Sequence, residues 1–183
     1  MTTSDSNTNG SGFLPEGYEP PSTGGNYMKL KEGDNRVRIL NSPLLGWIRW
    51  EETPEGKRPV RYPMDEKPSV PDKKHFWAML IFDYLSNKVC VLEITQLTIQ
   101  QSLRDFAKDV EWGDPRDYDV TIARKGSGLD TEYSVRPSPK AELTEEIRKA
   151  VEATPVHLEA LLQGGNPFEE PLEVAPKNDT TPI

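Results

Sequence analysis

Trp47, Arg49 and Trp50 interleave two indole rings with a guanidinium, and Lys73-Lys74-His75-Phe76-Trp77 repeats the mixture further along the chain. Arg61-Tyr62 is a third such pair. Aromatic faces stack planar rings, worth roughly 1–3 kcal/mol per nucleic-acid base, and cations neutralise phosphates. Together these residue types supply what a single-stranded nucleic acid needs from its binder. Trp47 and Arg49 share one face of an extended chain while Trp50 lies opposite, so at least one Trp is expected in the core. For Trp77 the register leaves both readings open, because a slip of one residue inverts a strand's faces.

Further bases are candidates for phosphate contacts. Arg36 and Arg38 alternate with Val37 and Ile39 and are expected on the outer face; the bland alternative is a solvated face paired with an acid such as Glu93. Lys57, Arg58, Arg61, Lys73 and Lys74 belong to a basic, proline-rich stretch, and Lys88 stands beside a hairpin turn. Arg124 and Lys125 precede Gly126-Ser-Gly128, a loop tip able to fold over a strand, or ordinary hairpin chemistry. His75 has no catalytic partner at motif spacing and reads as a polar edge residue.

Catalytic constellations are missing from the pattern. The chain has no Gly-rich phosphate loop, no His-Glu zinc helix and no nucleophile elbow. Asp83 and Glu93, on neighbouring strands, are the one carboxylate pair suited to a metal-dependent nuclease, but two carboxylates without further ligands read more simply as a charged strand pair. No catalysis and no cofactor are expected.

Charge supports a segmental reading. The 183 residues carry a formal −8. Residues 1–25 hold three acids and no base, and residues 141–183 nine acids against three bases, whereas 26–140 hold 19 bases against 18 acids. A lone cysteine, Cys90, excludes an internal disulfide framework and suits a reducing cytoplasm. Residues 1–10 have neither a basic end nor an apolar stretch, so no secretory signal is expected.

The elements that must position these residues follow from periodicity. Residues 35–51 read as one long strand, bent at Ser42-Pro43 and again, by a bend or bulge, at Gly46. Residues 52–73, with five prolines, read as a long functional loop. Strands are expected at 75–84, with Phe76, Ala78, Leu80, Phe82 and Tyr84 inward, and at 89–95. Ile99, Leu103, Phe106, Ala107 and Val110 share a helix face behind a Thr98–Gln101 capping box, and Gly113-Asp-Pro stops that helix. Strands at 118–124 and 131–136 follow, then two short helices, over 142–153 and from Thr154. The composition of 1–25 and 164–183 predicts disorder.

That order, with a helix between the third and fourth strands, is the order of a five-stranded OB-fold Greek-key barrel in a mainly β chain. The division expected is 1–25 disordered, 26–140 OB domain, 141–163 helical extension and 164–183 flexible, mildly acidic tail. The sequence also resembles the bacteriophage-type single-stranded DNA-binding proteins. The resemblance rests on Tyr27 through Leu40, Gly46-Trp47 through Trp50, Lys74 through Met79, Leu92 through Gln100, and Trp112 through Gly126. It implies an OB-fold without catalysis that coats single-stranded DNA during replication, recombination and repair, in the cytoplasm of an infected bacterial host. It also implies a tail that meets replication proteins such as a polymerase, helicase or recombinase, here through Phe168, Glu169 and Glu170. The chain departs from the family by ending Thr-Pro-Ile rather than in an acid run. An OB-like protein-interaction adaptor is the alternative reading.

Overall fold

The computed structural model describes residues 26–170, and the chain is mainly β. Eight strands form one open mixed sheet: β1 (Tyr27–Met28), β2 (Gly33–Ile39), β3 (Leu44–Thr53), β4 (Gly56–Pro63), β5 (Lys74–Asp83), β6 (Lys88–Ile94), β7 (Tyr118–Lys125) and β8 (Glu132–Lys140). The order is β1-β6-β5-β2-β7-β8, with β3 paired to β5 and β4. Among the described residues only the β1–β6 pair is parallel.

The long bent strand expected over 35–51 is present as β2 and β3, both antiparallel to β5. The bend lies between them. Ile39 pairs with Ile81 and Leu44 with Ala78, so five steps on one strand match three on the other. Two residues bulge out, and Asn41 mends the ladder: its Oδ1 accepts from Leu80 N at 2.8 Å. Gly46 is neither bent nor bulged but sits in register between Pro63 and Phe76. Glycine is needed there for closeness, since a Cβ would stand 2.5 Å from Tyr62 O and 2.7 Å from Phe76 Cε1.

The expected loop over 52–73 is largely a hairpin, in which β3 and β4 pair from Gly46–Pro63 to Thr53–Gly56 around Pro54-Glu55. Pro59 and Pro63 are tolerated because β4 pairs on one side only, and on a free edge a missing N–H breaks no ladder bond. The same reason lets β8 run on through Pro137 and Pro139.

Helix α1 (Leu97–Lys108) lays Ile99 and Leu103 on the main core, with Val37, Ile39, Met79, Ile81, Leu92, Ile94, Val120 and Ile122. Its ends differ from expectation. The cap position is Gln96, with no side-chain cap bond, and the helix stops at Lys108, leaving Val110 97% exposed. Helix α2 (Glu145–Ala153) starts behind Thr144, whose Oγ1 accepts from Ile147 N at 3.3 Å. The second terminal helix is a 3-10 turn, Leu158–Gln163.

Both faces of β5 are buried where one was expected, and the set expected outward faces the larger core. Met79 and Ile81, with half-buried Trp77, face the main core. Phe76 and Ala78 lie on the other face beneath Leu158 and Leu161, and Phe82 lies beneath Ile147. Because the C-terminal segment covers the second face, both alternate sets are apolar, and apolarity alone does not say which is interior.

Candidate nucleic-acid interface

The β3–β4 hairpin carries the main-core face of the sheet out past its edge. Alternation puts Trp47, Arg49 and Glu51 on that face, opposite Tyr62, Val60 and Arg58. The start of β5 continues it, with Trp47 paired to His75 and Leu45 to Trp77. Four rings from three strands therefore share one surface. The Trp47 and His75 rings are 5.3 Å apart, tilted by 51°. Trp77 Nε1 donates to His75 Nε2 at 3.1 Å, and His75 Nδ1 is 2.8 Å from the Gly46 carbonyl. These two bonds together require the neutral Nδ1–H tautomer, which fixes the imidazole between the indoles. Trp47 Nε1 donates to Met64 O at 3.1 Å, and Lys67 Nζ lies 4.7 Å from the Trp47 ring.

The two arginines on this face are held by one acid. Arg49 Nε donates to the Tyr62 hydroxyl at 2.9 Å, and its Nη2 bonds Glu51. Arg58 reaches the same carboxylate at 3.3 Å. Lys73 Nζ donates to Val70 O at 2.8 Å. Lys74, expected beside them, pairs with Ile48 and so lies by alternation on the opposite face of the sheet, with Trp50. An aromatic row flanked by cations, of which Arg58 and Lys67 are exposed, can stack bases and meet phosphates at once.

Other expected residues lie elsewhere. Trp50, 50% exposed, is on the opposite face of the hairpin with Ile48, Pro59, Arg61 and Lys57, whose Nζ is 3.7 Å from Glu52. Trp50 is thus not the core partner of Trp47; Trp47 is half-buried and Trp77 rests on the core. Arg61 is parted from Tyr62 by the pleat and forks onto Glu93 at 2.6 and 3.3 Å, largely buried.

Arg38 departs most from expectation. Its side chain is 4% exposed and donates to Arg116 O at 3.0 Å, to the Ala141 carbonyl and to Asp119. It staples β2 to the chain that wraps the sheet. Arg36 stays half exposed, 2.6 Å from Asp119 Oδ2 and over the Tyr84 ring. The acid that meets both arginines is Asp119, not Glu93. Tyr84 donates to Asp119 at 2.8 Å, and burial first, then that bond, pushes its phenol up to about 12.

Lys88, Arg124 and Lys125 lie at the far end of the sheet. Lys88 pairs with Asp83 and Arg124 with Gly33, at the start of β2, ahead of the bend that leads into the hairpin. Arg124 Nη1 donates to Leu30 O at 3.0 Å, and so ties down the first described segment. Asp83 accepts from Leu85 N and Ser86 Oγ, whereas Glu93 pairs with Arg61 further along the β5–β6 ladder, so the two carboxylates share no site. Phe168 packs beside Leu158 and meets Tyr27 edge-on at 5.8 Å, which docks 164–170 on the body rather than freeing it. Glu169 and Glu170 are exposed, and the tail from residue 171 lies outside the described residues.

Two members of the surface escaped the sequence reading. Neither Lys67 nor Leu45 is singled out by the residue pattern. Leu45 meets Trp77 only through the β3–β5 register, which the apolar pattern does not choose by itself. No local signal puts Lys67 over Trp47.

The chain is similar to a probable ssDNA-binding protein of Escherichia phage T5, with 26% identity over 139 residues, covering 60% of this chain and 54% of that protein. The chain therefore spans about half the length of the curated relative it matches. This bears out the resemblance read from the sequence. No protein-family model matches, and no solved structure matches.

Proposed function

We propose that the chain binds single-stranded DNA without reading its sequence. Bases stack on Trp47, Tyr62, His75 and Trp77, and phosphates run along Arg49, Arg58, Lys67 and Lys73. The observation that carries this reading is the single face to which three strands bring four rings and their cations. The likeness to the phage T5 protein supports it. The bent β2–β3 strand, antiparallel to both β5 and β7 with a helix after β6, supports an OB-type barrel core to which β1 and β4 are added. Coating of strands in phage replication, recombination and repair, within an infected bacterial cell and without catalysis, extends the same proposal. A polymerase, helicase or recombinase would meet the C-terminal tail; Phe168 itself serves the fold. Arg36, Lys88, Arg124 and Lys125 remain a secondary path for a strand that runs on past the hairpin.

The test is titration of labelled oligo-dT with the full chain across a salt series. Affinity should fall linearly on logarithmic axes, with a slope of roughly −0.7 per phosphate neutralised. No binding to DNA or RNA at low salt would end this reading and favour an adaptor.

A further inference from the structure

Beside the aromatic face lies a groove of about 390 Å³ between α1 and the bend of the long strand. Its floor is apolar: Met79 and Leu103 are buried there, with Ala107 at the lip. Trp77 forms one wall. The same indole closes the row of rings described above, so the groove continues that row rather than standing apart from it. The rim is polar, formed by Asn41, Ser42, Arg104 and Arg116.

The polar rim is one-sided. Asn41 Oδ1 is spent on Leu80 N, which leaves its amino group without a partner among the described residues. Ser42 Oγ lies 3.4 Å from Arg116 Nη1 as an acceptor, which frees its own proton to donate. Guanidinium groups only donate. The one lining carboxylate, Asp114, is held at 2.6 Å by Arg116 and also takes Arg116 N, so it caps its own turn. Arg104 is partly spent on its neighbour Asp105 at 2.8 Å, but its remaining hydrogens, with those of Asn41, Ser42 and Arg116, leave the rim richer in donors than in acceptors above an apolar floor.

We infer that this groove takes one unstacked base of the bound strand, and prefers a base that presents carbonyl oxygens, thymine over cytosine. The inference rests on the single-strand reading above and adds a base subsite to it. Its occupant is argued from continuity through Trp77, from an apolar floor that suits a flat ring, and from donors that suit the O2 and O4 of thymine. Cytosine offers an amino group where thymine offers O4, and an amino group gains less than a carbonyl oxygen from a donor-rich rim.

Ala107 is exposed on α1, so Ala107→Phe fills the lip without touching the core. Anisotropy titrations with labelled oligo-dT and oligo-dC should show tighter dT binding by the unaltered chain, by about 2- to 10-fold for one hydrogen bond. Ala107→Phe should weaken dT binding by about 5- to 150-fold, the range for one lost stacked base, and bring dT and dC level. Ala107→Glu, which sets a carboxylate on the rim without bulk over the floor, should weaken dT binding as well and covers the case in which the Phe variant melts early. If the unaltered chain binds no single strand, the functional reading itself fails. If it binds and both folded variants match it in affinity and dT/dC ratio, the groove holds no base. A self-association on gel filtration that the variants abolish without changing DNA affinity would assign the groove to a second copy and overturn the inference.

Discussion

Replacing Trp47 by Ala tests the interface at its centre. A base that stacks on this indole must first move the Lys67 ammonium, which lies 4.7 Å from the ring. Displacing an exposed cation–π contact costs roughly 0.5–1 kcal/mol. Stacking returns roughly 1–3 kcal/mol per base. Taken low with low and high with high, the net contribution is about 0.5–2 kcal/mol, so Trp47→Ala should weaken oligo-dT binding about 2- to 30-fold. Trp50 sits on the opposite face, so Trp50→Ala should leave affinity unchanged. Trp77 serves both core and surface, so Trp77→Ala should lose stability as well as affinity. With four Trp residues in the chain, intrinsic fluorescence would mix their signals. The assay is anisotropy of a 5′-labelled oligo-dT at low and moderate salt, with thermal melts of each variant. Equal weakening by Trp50→Ala and Trp47→Ala in folded proteins would refute the assignment of faces, and unaltered binding by Trp47→Ala would move the stacking platform elsewhere.

Four other perturbations probe the surface and its supports. Glu51 holds both Arg49 and Arg58, so Glu51→Gln should free two guanidiniums and steepen the salt slope by up to roughly 0.7 for each phosphate gained; an unchanged slope in the salt series would show that neither arginine meets phosphate. Arg38→Met should cost about 3 kcal/mol in urea unfolding, near the low end for breaking a buried pair because Arg36 and Tyr84 still serve Asp119; a loss under about 0.5 kcal/mol, as for an ordinary surface change, would contradict the staple. Gly46→Ala should cost about 1–3 kcal/mol by crowding Tyr62 O and Phe76, and should weaken DNA binding because the hairpin must shift, measured by melting and anisotropy together. Absorbance titration should find two phenols ionising at about 12, Tyr84 and Tyr118, both raised chiefly by burial. Because the fold favours the protonated phenol, their contribution to stability is complete below pH 10 and is lost as pH rises toward about 12; Tyr84→Phe should remove one of the two, and finding all tyrosines near 10 would refute the buried network.

Local pattern carried much of the fold. The alternation of Val37 and Ile39, the apolar runs of β5 and β6, and the spacing of Ile99 and Leu103 on α1 depend on near neighbours, and the structure keeps all of them. Helix ends were less legible, because Gln96 and Asp109 end α1 without the side-chain caps that make an end visible in sequence. The β3–β4 hairpin was hidden by its prolines, which read as loop until it is known that β4 has a free edge. Arg36 and Arg38 look alike in sequence, and only the return of Arg116 and Ala141 over β2 buries one and leaves the other in water.

The residue types that suggest DNA binding, indoles beside cations, are present in the sequence whatever the fold. Their grouping is not. Tyr62, Trp47 and Trp77 meet because β3 pairs with β4 on one side and β5 on the other, in one register of several that the same apolar pattern allows. The choice among registers, and of which face of β5 becomes interior, falls to contacts between residues far apart in the chain. These are α1 packed against Met79 and Ile81, and Leu158 and Ile147 packed over the opposite face. A strand apolar on both sides holds no internal record of which side another element will cover, so that decision belongs to the tertiary structure.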